Sequence, residues 1–372
     1  MLIGIDASRT TGRNRTGTEN YALHLIRAIV TGAGAHDYRL YFNAPPPAGL
    51  FPASPHLSHR VIPWPRLWTH VRLSLELTRH RPDVLFVPSH VLPLICPAPA
   101  IVTVHDLGYL AYPEAHGRFD RWYLDWTTRR HTRLAAHLLA DSEATRQDLI
   151  RHYNADPNRI TVVYPGLDPA FRPIDDPDQL ATVQSRYGIS SEYLIHVGTI
   201  QPRKNLDRLL DAFERIDNSQ LTIDNSQFQL VLAGKPGWQT GDLVARARAM
   251  PGRVRLLGHV DQQDLPALIS GARALAMPSL YEGFGFPALE AMACGTPVVA
   301  SNVSSLPEVA GDAALLVDPH DTDALADALA HILADDDLRA ELRRRGLEHA
   351  RQFTWQRAAR QTLTILESVA GV

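Results

Sequence analysis

Short apolar runs alternate with amphipathic stretches along nearly the whole chain, and that alternation leaves few folds open. Runs at residues 2–6, 39–43, 84–88, 101–105, 137–140 and 160–164 read as strands. The stretches at 18–30, 69–79, 120–135 and 143–152 have helical spacing. Strand followed by helix, repeated, builds a parallel sheet covered on both faces. A polar, proline-bearing stretch follows from Asp168 to Gly188, and then a second series begins. Its strands are expected at 193–197, 229–233, 254–257, 272–277, 298–301 and 314–317. Ser305 and Glu308 are spaced as a capping box at one of its helix starts. The expected fold is α/β, two doubly wound Rossmann-like domains: residues 1–170, a linker at 171–188, and residues 189–353. Such sheets bind ligands beyond the carboxyl ends of their strands.

Composition narrows the function. At 45% hydrophobic and 21% charged residues, the chain is that of a globular protein with no bias toward nucleic acid, and its net charge is −3. Only Cys96 and Cys294 are present, far apart, so neither a disulfide framework nor a zinc site is expected and a reducing cytoplasm is. Residues 1–6 read as a strand without a basic region or cleavage site, so no signal peptide is expected. The apolar stretch 85–104 has the length of a membrane span, but Pro88, Pro93, Pro97 and Pro99 would break one, so it reads as strand, loop and strand.

The segment Glu282-Gly283-Phe284-Gly285-Phe286-Pro287-Ala288-Leu289-Glu290 carries the chemistry. Pro287 suits the first position of a helix and Gly295 marks its stop. Glu290 is then expected in the first turn and Glu282 in the loop before it. Helical side chains lean toward the N-terminus, so both carboxylates can face one ligand. The N–H groups of Gly283, Phe284, Gly285 and Phe286 lie at the positive end of the helix dipole, a ready anion site. An anion cradle between two acids suits a sugar nucleotide.

This segment resembles the E-x7-E signature of retaining glycosyltransferases of family four, which have the two-domain GT-B fold. The specific part is the wider string from Met277-Pro278-Ser279 to Gly295-Thr296-Pro297-Val298-Val299. The resemblance implies two domains facing a cleft, with a final helix, here 354–372, returning to the first domain. It implies that Glu290 bonds the ribose hydroxyls and that Glu282 contacts the transferred sugar. Thr103-Val104-His105-Asp106-Leu107 resembles the family's first-domain segment, whose histidine positions the donor sugar; His105 takes that role. By position alone, His105 could equally cap its strand.

Other strand ends supply candidates. Gly198-Thr199-Ile200-Gln201-Pro202-Arg203-Lys204 follows the first strand of the second series, where cations can neutralise a diphosphate. The chain has two lysines, Lys204 and Lys235, among 37 basic residues, so both invite explanation. Lys204 falls on the family's diphosphate lysine. Many members carry arginine where Thr199 stands, and Arg203 is the natural substitute. Lys235 reads as a solvated turn residue. Arg15-Thr16-Gly17-Thr18 occupies the family's glycine loop with Gly17 as its single glycine, or is a simple helix start. Ser142 reads as an N-cap. Val260, after Gly258-His259, falls where the family encloses the nucleotide base through backbone contacts. The 217–227 stretch repeats Asp-Asn-Ser-Gln and reads as a surface insertion.

Arg118, Arg121, Arg129, Arg130 and Arg133 interleave with Trp122, Tyr123 and Trp126. Such a helix either meets a membrane interface or an acidic lipid-linked acceptor, or turns its aromatics to the core and its arginines to water.

The resemblance implies transfer of a hexose, with retention, from a nucleotide-diphosphate sugar to a glycan or lipid-linked acceptor, as in cell-surface polysaccharide synthesis. GDP-mannose is favoured and a UDP-sugar is the alternative. No Asp-x-Asp motif is placed at the site, so no cofactor or obligatory metal is expected, and no nucleic-acid partner. The expected location is cytoplasmic, with peripheral contact at the inner membrane face for the arginine helix. Two rival functions remain open, a sugar-nucleotide epimerase of the same fold and a non-catalytic nucleotide-binding subunit.

Overall fold

The structure is a computed structural model that describes residues 1–372 apart from 13–15, 33–35, 65, 66, 90, 116, 191 and 217–227. Arg15 and the 217–227 repeat therefore lie outside the described residues. The chain divides into two compact units. One holds Met1–Gly166 with Phe353–Val372, the other Leu167–Gln352.

In the first unit seven described strands form one parallel sheet: β1 Leu2–Asp6, β2 Asp37–Phe42, β3 Leu57–Val61, β4 Val84–Val87, β5 Ala100–Val104, β6 His137–Ala140 and β7 Ile160–Val162. Their order is β3-β2-β1-β4-β5-β6-β7. The second unit has β8 Tyr193–Val197, β9 Gln229–Ala233, β10 Val254–Gly258, β11 Ala274–Met277, β12 Val298–Ser301 and β13 Ala314–Val317, in the order β10-β9-β8-β11-β12-β13. Each sheet reverses direction of winding once, between β1 and β4 and between β8 and β11. In open α/β sheets it is beyond the carboxyl edge, at such switch points, that ligands bind.

Central strands are buried on both faces, as in β4, β5, β8, β9, β11 and β12. That is why they show as continuous apolar runs. The strand missing from the sequence prediction is β3. It lies at the sheet edge and exposes Ser58, His59 and Arg60. Polar edges discourage pairing with other chains, and they also erase the apolar signal.

Residues 171–188, expected as a linker, contain the helix Pro177–Tyr187, which belongs to the second unit. The Asp176 side chain accepts the Asp178 N–H as its cap, Pro177 opens the first turn, and Gly188 closes the helix at φ 61°. Those start and stop signals outweigh its polar composition.

The helix Trp355–Ala370 is part of the first unit's core. Ala358, Ala359 and Leu366 are buried together with Ile3, Ile5 and Ile26. Trp355 meets the edge of Tyr21 at 5.7 Å and stacks on His24 at 5.5 Å. Gly166 lies so close that a Cβ there would stand 2.2 Å from the Trp355 nitrogen, so this crossing needs a glycine. Trp355→Ala is expected to cost about 3–5 kcal/mol of first-unit stability. In a denaturant titration the transition reporting Met1–Gly166 should shift, while that of Leu167–Gln352 stays.

Candidate functional site

The second unit's charged cluster sits at the switch between β8 and β11. Because these strands are neighbours, the loops leaving them meet: the Leu280 N–H donates to the Arg203 carbonyl at 2.8 Å. Arg203 donates to the Tyr281 carbonyl at 2.8 Å and to Glu282 Oε2 at 2.9 Å. Lys204 Nζ donates to Glu282 Oε1 at 2.5 Å. Lys204 and Glu282 are buried, at 5% and 6% exposure. Burial opposes the Glu282 charge, but Lys204 and then Arg203 outweigh it and hold the carboxyl at about 2. The folded value lies below the ordinary 4.5. The pairing therefore stabilises the unit above pH 4.5 and fades as the pH falls toward 2.

The Glu282 loop is fastened by two serines. The Glu282 N–H donates to Ser304 Oγ at 2.9 Å. Ser305 donates to the carbonyls of Glu282 at 3.0 Å and Phe284 at 2.7 Å. Ser305 precedes the helix Leu306–Ala310 but makes no cap bond, so the capping box read at Ser305 and Glu308 is not formed. Its hydroxyl holds the Glu282 loop instead. Gly285 has φ 108°, and a Cβ there would stand 2.8 Å from Leu306, so the turn requires glycine.

The helix Phe286–Ala293 starts one residue before the position expected from Pro287. Its first turn lies at the positive end of the helix dipole beside Gly283 and Phe284; Pro287 brings no N–H, and the Ala288 and Leu289 N–H groups donate to the Gly285 carbonyl at 3.1 and 3.5 Å. Glu290 therefore falls in the second turn, not the first, and is partly buried. Burial, with Asp168 as a second cause, pushes its carboxyl up to about 8. Two acids eight positions apart are thus held in opposite states by their surroundings. Val260 follows β10, partly exposed.

His196, on β8, was not anticipated. It is fully buried, its Nδ1 lies 2.9 Å from the Ala276 carbonyl, and burial followed by Lys204 lowers it to about 4. It is a neutral group beside the lysine. Its sequence signal was weak, since a lone histidine within an apolar strand is usually a core residue.

In the first unit His105 follows β5 and is buried. Its Nδ1 lies 2.6 Å from Asp141 Oδ2 and its Nε2 lies 3.0 Å from the Pro88 carbonyl. A carbonyl only accepts, so Nε2 carries a proton. The pair ties the ends of β4, β5 and β6 together. The Tyr21 ring meets the imidazole edge-on at 4.7 Å. Burial alone would lower His105, but the Asp141 carboxylate reverses this and raises it above its ordinary 6.5. Asp141 escaped the sequence reading because it looked like part of a helix start; Ser142 is that cap, accepting the Thr145 N–H. Gly17 opens the helix Gly17–Thr31, exposed, after Thr16, whose N–H donates to Glu19 at 2.8 Å. Among the described residues, a Cβ at Gly17 would meet nothing within 4 Å.

A cavity of about 450 Å³ opens at the carboxyl edge of the first unit's sheet. Arg9, Glu19, Asn43 and His70 supply its polar lining, and Trp64 and Trp68 its aromatic lining. Among the described residues, no cluster of histidine, cysteine and acidic side chains could hold a metal ion. No helix among them is long and apolar enough to cross a membrane.

Known proteins resemble both units. Residues 185–349 match the profile of glycosyl transferases group 1, and residues 15–171 that of glycosyltransferase family 4. The chain is 36% identical over 267 residues to the O-antigen chain mannosyltransferase B of Escherichia coli, covering 71% of this chain and 69% of that one. It is 36% identical over 245 residues to the D-inositol 3-phosphate glycosyltransferase of a Nocardioides species, covering 61% of this chain and 52% of the relative, so it spans about half that relative's length. The solved sucrose-phosphate synthase of Thermosynechococcus elongatus superposes with a TM-score of 0.75 over 99% of both chains at 22% identity, a likeness of fold.

Asp141→Asn removes the charge that raises the His105 pKa against burial. In this variant the His105 imidazole should lose its proton at a lower pH than in the parent. The stability it adds, present below pH 6.5 and lost as the pH rises through the folded pKa, should shrink. NMR titration of the His105 ring reads the midpoint directly; an unmoved midpoint contradicts the pairing.

Proposed function

This chain belongs to the group 1 glycosyltransferases, with the GT-B fold, and from that premise we propose that it moves a hexose with retention from a nucleotide-diphosphate sugar, GDP-mannose, to a glycan or lipid-linked acceptor. The observation that carries the proposal is the Glu282–Arg203–Lys204 cluster, set beside a helix N-terminus at the β8/β11 switch. Two cations and a dipole end fit a diphosphate. The leaning toward mannose rests on the identity with the mannosyltransferase.

The donor diphosphate binds Arg203, Lys204 and the N–H groups around Gly283, Phe284, Gly285 and Phe286. It competes with Glu282 for the two cations, and the carboxylate is released toward the transferred sugar. Glu290 receives the ribose. A carboxyl that keeps its proton at neutral pH donates one hydrogen bond and accepts another, which suits a vicinal diol. Val260 lines the base. His105 orients the sugar, and Gly17 belongs to the loop that covers the donor. The acceptor hydroxyl attacks the anomeric carbon on the face the diphosphate leaves. The carbon–oxygen bond to phosphate breaks, and the acceptor proton passes to the departing phosphate oxygen. No metal is required, so a chelator should leave turnover unchanged.

Thermal melts with nucleotides test the donor half. GDP at a hundredfold excess over its Kd should stabilise the fold by about 2.7 kcal/mol, more than UDP does at equal concentration. Lys204→Ala and Glu282→Gln should fold and lose about 10²-fold or more in turnover. No shift with either nucleotide sinks the proposal. Release of a free epimerised sugar without acceptor would instead identify an epimerase.

A further inference from the structure

The helix Arg118–Leu134 divides its aromatic side chains between the interior and solvent. Its inward face carries Thr127, Thr128 and His131, all buried. Phe119 and Trp122 instead stand 72% and 58% exposed. Of the aromatics expected to face the core, Tyr123 and Trp126 are partly buried against His70, while Trp122 turns to water with Arg118, Arg121 and Arg133, so the plainer expectation for this helix holds only in part.

These rings are not isolated. Leu67, Val71 and Leu75 are exposed along the neighbouring helical segment, and Leu94 and Ile95 in the loop after β4. Hydrogen bonds hold the three segments side by side. The Leu94 N–H donates to the His70 carbonyl at 3.3 Å, and the Ile95 N–H to Ser74 Oγ at 3.0 Å. Arg130 donates to the carbonyls of Pro93 at 2.7 Å and Leu94 at 2.6 Å. The His70 ring lies 5.9 Å from Trp126, on which Trp122 stacks at 6.3 Å. Seven of the ten large apolar side chains exposed among the described residues thus share one region of the first unit. Scattered apolar residues need no explanation, whereas a cluster marks a partner.

Charge selects that partner. The helix carries five arginines against Asp120 and Asp125. Asp125 answers Arg129 at 2.8 Å, and Arg118, Arg121 and Arg133 are exposed. A second copy docking through the same face would set this positive helix against itself. An anionic bilayer instead takes aromatic rings at its headgroup level and guanidinium groups on its phosphates. We propose that this face seats the first unit peripherally on a membrane containing anionic lipid. The 450 Å³ cavity shares Leu67, His70 and Tyr123 with this region, so its mouth adjoins the seated surface. On the glycosyl-transfer proposal, the acceptor is then a saccharide carried by a lipid, reached without leaving the membrane.

Flotation of the full chain with phosphatidylcholine vesicles, with and without phosphatidylglycerol, tests the seat. The protein should float with the anionic vesicles at low salt and much less at high salt. Phe119→Ser with Trp122→Ser, and separately Arg118→Glu with Arg121→Glu, should each lower the bound fraction about tenfold or more. All four positions are exposed, and an unchanged melt confirms that the variants fold. The proposal is overturned by absence of flotation at low salt, by equal flotation of the variants, or by a concentration-dependent dimer that the aromatic variant abolishes. Flotation needs neither donor nor acceptor, so its failure leaves the transfer proposal standing, and failed nucleotide binding leaves the seat standing.

Discussion

A carboxylate held in the protein interior between two cations is the constraint around which the second unit is arranged. Glu282 is buried with Lys204 and bridged to Arg203. Removing such charges from water costs several kcal/mol each, repaid only by close and well-directed pairing. The pairing here depends on sheet order. β8 and β11 are neighbours, so residues 78 positions apart arrive at one point. Ser304, Ser305 and the left-handed turn at Gly285 hold the loop in the shape the pairing needs.

The arrangement also explains how one segment supports two different acids. Glu282 is held low because cations face it, and Glu290 is pushed up to about 8 because burial and then Asp168 oppose its charge. Separated carboxyl groups with separated states can divide the tasks of binding and chemistry. In the first unit the same physics acts on a histidine. The Asp141 carboxylate raises the His105 pKa against burial, and the other ring nitrogen is anchored on the Pro88 carbonyl. Rigid anchoring of this kind is what lets a strand end present a side chain reproducibly.

Much of this was legible beforehand, and the failures have identifiable causes. Buried central strands advertise themselves, since both faces are apolar; β3 was lost because its edge position calls for polar side chains. The helix Pro177–Tyr187 was hidden by its polar composition although its cap residues were in plain view. Ser305 matched a capping pattern, yet its hydroxyl bonds to a loop reached only through the fold. Asp141 and His196 carried no motif, because their partners lie on neighbouring strands rather than nearby in sequence.

Periodicity and turn chemistry are local, and they sufficed to lay out two strand–helix series and to mark the loop and helix from Glu282 to Glu290. The order of strands within each sheet is not local, and it settles which charges meet. Lys204 became the partner of Glu282, and Asp141 that of His105, only through the neighbours their strands acquired. The direction in which Phe119 and Trp122 point was likewise a tertiary outcome. A helix face turns inward or outward according to what packs against it, and here threonines and a histidine filled the inner side.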